Sequence, residues 1–210
     1  MQDGLPGAPL PTHPALAGLV ELQAGGVYGV AHASLGLTLL AGPSLMGAWS
    51  AVVGVSDFGV EAAAACGVDL DRTVLVPDPG EHWLEVTAAL IDVATIVLVR
   101  PPIKMTGEMA GRVSPATAAR IGARLRKRGA ALAVLGDAWP RCDARLWLVD
   151  PAWSGMGSGH GHLQSRRAVV AVRRGGGPVR RAPLWLPAAD TAPRRAEDNI
   201  PDPVLIQDAG

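Results

Sequence analysis

One arrangement near the start of the chain has the order of a phosphate-binding element. A short apolar run at 19–23 leads into Gly26-Val27-Tyr28-Gly29-Val30-Ala31-His32-Ala33, and an apolar helical stretch follows at 33–40. A strand, a glycine-rich turn and a helix can surround phosphates, because backbone N–H groups and the helix N-terminus point at the anion. A working site also needs a Lys for the β- and γ-phosphates and a Ser or Thr for Mg²⁺. No Gly-Lys-Ser/Thr string follows this turn. Other chemistry is thinner. Cys66 and Cys142 are the only cysteines, too few for a disulfide framework or a structural zinc site. His160 and His162 stand in a glycine-rich stretch without a carboxylate or thiolate pair and read as loop residues, so no metal is expected. Asp137 ends a strand but has no nucleophile beside it in sequence.

Cations are the more abundant resource. Arg120, Arg124, Arg126, Lys127 and Arg128 fall on one helix, with 120, 124 and 128 at i,i+4 spacing on one face. Arginine pairs recur at Arg166-Arg167, Arg173-Arg174, Arg180-Arg181 and Arg194-Arg195. Together they could form a basic surface for phosphates or for an acidic protein partner. A solvated helix face, with its last-turn cations favoured by the dipole, is the plain alternative.

These residues need a scaffold, and the pattern supplies one. Strands are expected at 19–23, 48–55, 73–76, 94–99, 131–135 and 145–149, and helices at 33–40, 60–66, 79–90 and 114–128. The unbroken run Ala94–Val99 reads as a buried strand. Ser114 followed by Pro115 is a helix start, and Gly129 a helix stop. Segments 168–173 and 183–186 flank Gly175-Gly176-Gly177 as a closing hairpin. Alternating strands and helices imply an α/β fold with a mostly parallel sheet flanked by helices, and an antiparallel hairpin at one edge. Residues 1–15, with four prolines, read as a flexible lead-in. Residues 16–187 form the core and 188–210 a flexible acidic tail. Within that tail Val204, Leu205 and Ile206 form an apolar cluster suited to docking into a partner groove.

Composition bounds these readings. The 210 residues carry no net charge, with 19 basic and 19 acidic side chains. The balance hides a division: residues 1–98 are net −9, residues 99–196 net +13 and residues 197–210 net −4. Such asymmetry suits an anionic partner for the second half, or pairing between the halves. A hydrophobic content of 49% supports a packed core and excludes global disorder. Residues 22–56 contain no Asp, Glu, Lys or Arg, but seven glycines and Pro43 interrupt them. They read as a buried strand–helix–strand unit rather than a membrane span. No signal peptide is evident, so a cytoplasmic location is expected.

The order of segments resembles the RecA family over residues 16–187. Gly67-Val68-Asp69-Leu70-Asp71-Arg72 followed by Thr73–Val76 is similar to a RecA segment of the form GVDxDxLL. Gly80-Glu81 through Leu90 and then ATIVLV continue in register with its helix and Walker B strand. Arg167–Arg174, the three glycines and Val179–Leu186 resemble its late hairpin. In that register the Walker A lysine slot falls on His32 and the next hydroxyl slot on Ala33. The water-positioning acid falls near Gly54, and the Walker B aspartate slot falls on Arg100. An arginine there repels Mg²⁺, so the resemblance implies a pseudo-ATPase without cofactor. RecA's first DNA loop falls on 101–113, which keeps Lys104 and Arg112. Its second falls near 139–143 and is almost deleted. A short RecA-like chain with a decayed phosphate loop is similar to the ImuA type, in its actinobacterial ImuA-prime, SulA-like form. That resemblance implies an accessory role in damage-induced, error-prone translesion synthesis. The expected partner is an ImuB-like Y-family polymerase homologue, with an error-prone C-family DNA polymerase engaged indirectly. A nucleotide-binding ATPase with an unusual motif and a direct single-stranded-DNA-binding protein are the alternatives.

Overall fold

A computed structural model describes residues 7–102, 112–154, 165–188 and 192–196. The chain runs β1 (Pro9–Leu10), β2 (Leu22–Gln23), β3 (Val27–Val30), α1 (Ala33–Ser44), β4 (Ser50–Val53), α2 (Val60–Ala65) and β5 (Thr73–Val76). It continues through α3 (Trp83–Ile91), β6 (Ile96–Val99), α4 (Pro115–Arg128) and β7 (Ala131–Leu135). It closes with β8 (Ala144–Ser154), β9 (Ser165–Arg174), β10 (Val179–Trp185) and β11 (Arg194–Arg195). Nine strands form one sheet in the order β11-β10-β9-β8-β3-β7-β6-β4-β5. Strands β5 through β8 are mutually parallel along this order. Strands β9, β10 and β11 add antiparallel.

Local chemistry explains the elements. α4 begins where the Ser114 hydroxyl accepts from Thr117 N–H at 3.1 Å, with Pro115 in its first turn. It stops at Gly129, whose φ of 68° is left-handed and natural for glycine. β3, β4, β6 and β7 are buried along their whole length, as expected for strands covered on both faces. α1 and α2 cover one face with Leu35, Leu39, Leu98 and Val170 in a single cluster. α3 and α4 cover the other with Val97, Ile121, Leu125 and Val134. α1 lies close on β6: a Cβ on Gly36 would meet Leu98 at 3.0 Å.

Five expectations are corrected. Residues 27–30 form the central strand β3 and not part of a turn, so the turn before α1 is only Ala31-His32. The expected strand at 19–23 shrinks to β2, which pairs with β1 in a separate ribbon. Residues 7–15 are built into the fold, with Ala15 buried and the buried His13 Nδ1 accepting from Ala15 N–H at 3.2 Å. β8 runs on through Pro151 to Ser154, and its register shifts between Val149 and Ala152. Such a bulge accommodates a proline within a strand. At the other end the fold continues past 187: Ala188 and Ala196 are buried, and β11 pairs with β10. Among the described residues, no helix is long and apolar enough to cross a membrane.

Candidate functional site

The C-terminal ends of parallel strands are where open α/β sheets bind ligands. Here the ends of β3, β6 and β7 open on a cavity of about 530 Å³ lined by His32, Ala33, Arg100, Arg112 and Asp137, among others. His32 occupies the N-cap of α1 in extended conformation, and its side chain makes no capping hydrogen bond. Arg100 follows β6, and its backbone N–H donates to Val53 O. Gly54 lies against it: at φ 73° a Cβ there would clash with Arg100 O. The position near which an acid was expected is thus filled by neighbouring backbone.

Arg100 is not free. Its guanidinium forms an ion pair with Asp57, and the second nitrogen reaches Oδ2 at 3.4 Å. That contact holds the Asp57 carboxyl below the usual carboxylate range. Across the cavity Asp137 accepts from Arg145 at 2.8 Å and is otherwise almost fully exposed. Arg145 also donates to Trp139 O at 3.0 Å. The rim therefore carries two arginine–aspartate pairs, Arg100 with Asp57 and Arg145 with Asp137.

The sequence-expected residues separate into groups. His32, Ala33, Arg100 and Arg112 meet at the cavity. Gly26 and Gly29 do not: Gly29 lies inside β3 opposite Val134, and Gly26 precedes that strand. Assigning them to a phosphate loop is therefore corrected. Glycine serves packing at 29, since a Cβ would stand 3.1 Å from Cys142 Sγ and 3.3 Å from Arg145 Cγ. On α4, Arg124 and Arg128 turn onto Asp92, at 2.8 and 2.5 Å for Arg124 and 3.0 Å for Arg128. The pair pushes the Asp92 pKa down to about 2. Arg120 and Lys127 remain exposed on the same helix. Arg166 reaches Ser34 Oγ at 2.6 Å and Leu186 O at 2.8 Å, with the Trp153 ring 5.1 Å away. It fastens β9 to the start of α1, and burial lowers its pKa. Arg174 pairs with Glu21 at 3.8 Å and Arg180 donates to Gly18 O at 3.2 Å. Arg167, Arg173 and Arg181 project from β9 and β10. Lys104, Val204, Leu205, Ile206, His160 and His162 lie outside the described residues.

Sequence reading missed the acids. Asp57, Asp92 and Asp143 each fix a distant segment; Asp143 accepts from Val27 N–H at 2.7 Å across 116 residues of chain. No local pattern marks such partners. Among the described residues, no group of three or more His, Cys, Asp or Glu is arranged for a metal, and Cys66 and Cys142 are unpaired.

The molecule is thus a mixed α/β protein: a mostly parallel sheet between helices, extended by antiparallel strands, with a cationic rim at its strand ends. Residues 15–141 match the MT3502 N-terminal domain family, and the chain belongs to that family. It is also 37% identical over 147 residues to the uncharacterized protein Rv3395c of Mycobacterium tuberculosis, covering 67% of this chain and 69% of that protein.

Proposed function

We propose that the chain is a noncatalytic adaptor of RecA-like, ImuA-type architecture acting in damage-induced translesion DNA synthesis. It binds an ImuB-like Y-family polymerase homologue and, through it, serves an error-prone C-family polymerase. The observation that carries this reading is the rim itself. Arg100 ends β6 clamped to Asp57, and His32 stands at the start of α1, so neither position offers the carboxylate or the lysine that Mg–ATP chemistry uses. A core that keeps the layered sheet but not the catalytic groups is suited to presenting surfaces. The positive second half and Arg112, Arg120 and Lys127 offer one such surface.

The test is co-purification of the full chain with an ImuB-like protein, alongside calorimetric titration with ATP with and without Mg²⁺. Complex formation and Mg²⁺-independent or absent nucleotide binding are expected. Hydrolysis above background that disappears in His32→Ala refutes the noncatalytic part. Failure to capture the ImuB-like protein refutes the adaptor part.

A further inference from the structure

Each parallel connection from β3 to β7 passes through a helix, and these helices cover both faces of that half of the sheet. The step from β7 to β8 is different. It crosses residues 136–143 without a helix. On the α1 face, β8–β10 still join the main core through Leu146, Val170, Val172 and Leu184. On the opposite face, Trp147, Val149, Val169 and Pro183 are half-buried and belong to neither large core cluster.

The register arranges that face as rows. Trp147 on β8 stands opposite Ala171 on β9, which stands opposite Arg181 on β10. One row away Arg145, Arg173 and Val179 align, and at the far end Ala152, Arg167 and Trp185 align. No acid occupies an outward position of β9 or β10. Arg173 and Arg181 are exposed, Arg167 is half-buried, and none of the three forms an ion pair among the described residues. The Trp147 and Arg181 backbones therefore stand about 10 Å apart, two strand spacings, on either side of Ala171, which is fully buried.

We infer that this outer face of β8–β10 binds single-stranded nucleic acid, with a base stacked on Trp147 and phosphates held by Arg167, Arg173 and Arg181. The combination of a planar aromatic platform with uncompensated cations is how sequence-tolerant single-strand binding works. An acidic peptide would satisfy the arginines but leave the indole without a planar partner. Trp147, Arg167, Arg173 and Arg181 do not line the strand-end cavity, and the inference does not rest on the adaptor reading, because binding is read on the purified chain alone.

The experiment is fluorescence anisotropy of labelled oligo-dT and oligo-U with the full chain across a salt series. Both single strands bind, and affinity falls with salt. Trp147→Ala weakens binding roughly tenfold or more, whereas Trp147→Phe retains it. The double substitution Arg173→Gln, Arg181→Gln lies on the exposed surface and leaves the circular dichroism melt unchanged. It lowers the log–log salt slope by about 1.4. Three results overturn the inference: no binding at 50 mM salt, binding indifferent to the double substitution but removed by Arg120→Gln with Lys127→Gln, or an acidic peptide that occupies the face and is not displaced by oligonucleotide.

Discussion

Asp92 offers the sharpest energetic test of the fold. It caps the end of α3 and accepts three charge-assisted hydrogen bonds from Arg124 and Arg128, joining α3 to α4. These contacts lower its pKa from 3.8 to about 2. One pH unit corresponds to about 1.4 kcal/mol, so the unscreened difference is roughly 2.5 kcal/mol. Asp92 is 23% exposed and Arg124 43% exposed, and solvent screening reduces the useful part to about 1–1.5 kcal/mol. Asp92→Asn keeps the shape and removes the charge. In urea unfolding at pH 7, followed by far-UV circular dichroism, it is expected to lose that amount, and in thermal melts about 2–6 °C. The sign with pH follows from the direction of the shift. A carboxyl depressed in the folded state stabilises above its unfolded pKa and loses that contribution as pH falls through the folded one. The gap between wild type and variant is therefore full above about pH 4 and closes toward pH 2. A variant as stable as wild type at pH 7, or a gap unchanged between pH 5 and pH 2, refutes the assignment.

Glycine positions give an opposed pair. Gly42→Ala would place a Cβ 2.6 Å from Pro11 O and 2.7 Å from His13 N; this backbone clash outweighs the helix-propensity gain and costs about 1–3 kcal/mol. Gly122→Ala meets only the flexible end of Arg126 at 3.4 Å, so it stabilises by about 0.5–1 kcal/mol; both are read by urea unfolding. Tyr28 accepts from Gln23 N–H at 2.7 Å and donates to Glu21 O at 3.1 Å, so Tyr28→Phe costs about 1 kcal/mol in the same assay. Because burial pushes the Tyr28 hydroxyl up to about 12, its stabilising contribution persists to pH 10 and fades from pH 10 to 12, which spectrophotometric titration at 295 nm can follow. Burial pushes the Cys66 thiol up to about 11. Its labelling by a disulfide reagent at pH 8 should proceed at the rate of global or local opening, with Cys142 reacting ahead of it.

Much of the architecture was readable where signals are local. β5, α4 and β7 match their expected limits because caps, terminal glycines and β-branched runs mark them without help from distant residues. β3 was not readable. Gly26 before it and Gly29 within it imitate a turn, yet Gly29 serves close packing against Cys142 and Arg145, residues more than a hundred positions away. The N-terminal prolines similarly suggest a loose lead-in, but Pro9–Leu10 pairs with Leu22–Gln23. At the candidate site, Arg100 was recognisable as a cation at a strand end and His32 as the residue just before α1. Their surroundings were not, because Asp57 lies 43 residues from Arg100 and only the fold joins them. The basic helix shows the same limit: spacing placed Arg124 and Arg128 on one face but could not reveal Asp92 beneath them.

The position of β3 has a consequence for biosynthesis. It is made about a hundred residues before β7 and β8, its two neighbours. At ribosomal speeds of about 5–20 residues per second, the strand waits roughly 5–20 s before both sides can be closed. During that interval the nascent chain carries β3, β4 and β6 without the strand that joins them, in a stretch whose charge is almost wholly acidic. Such timing makes the gene poorly divisible: a fragment ending before residue 131 holds more than half of the chain but lacks both neighbours of β3.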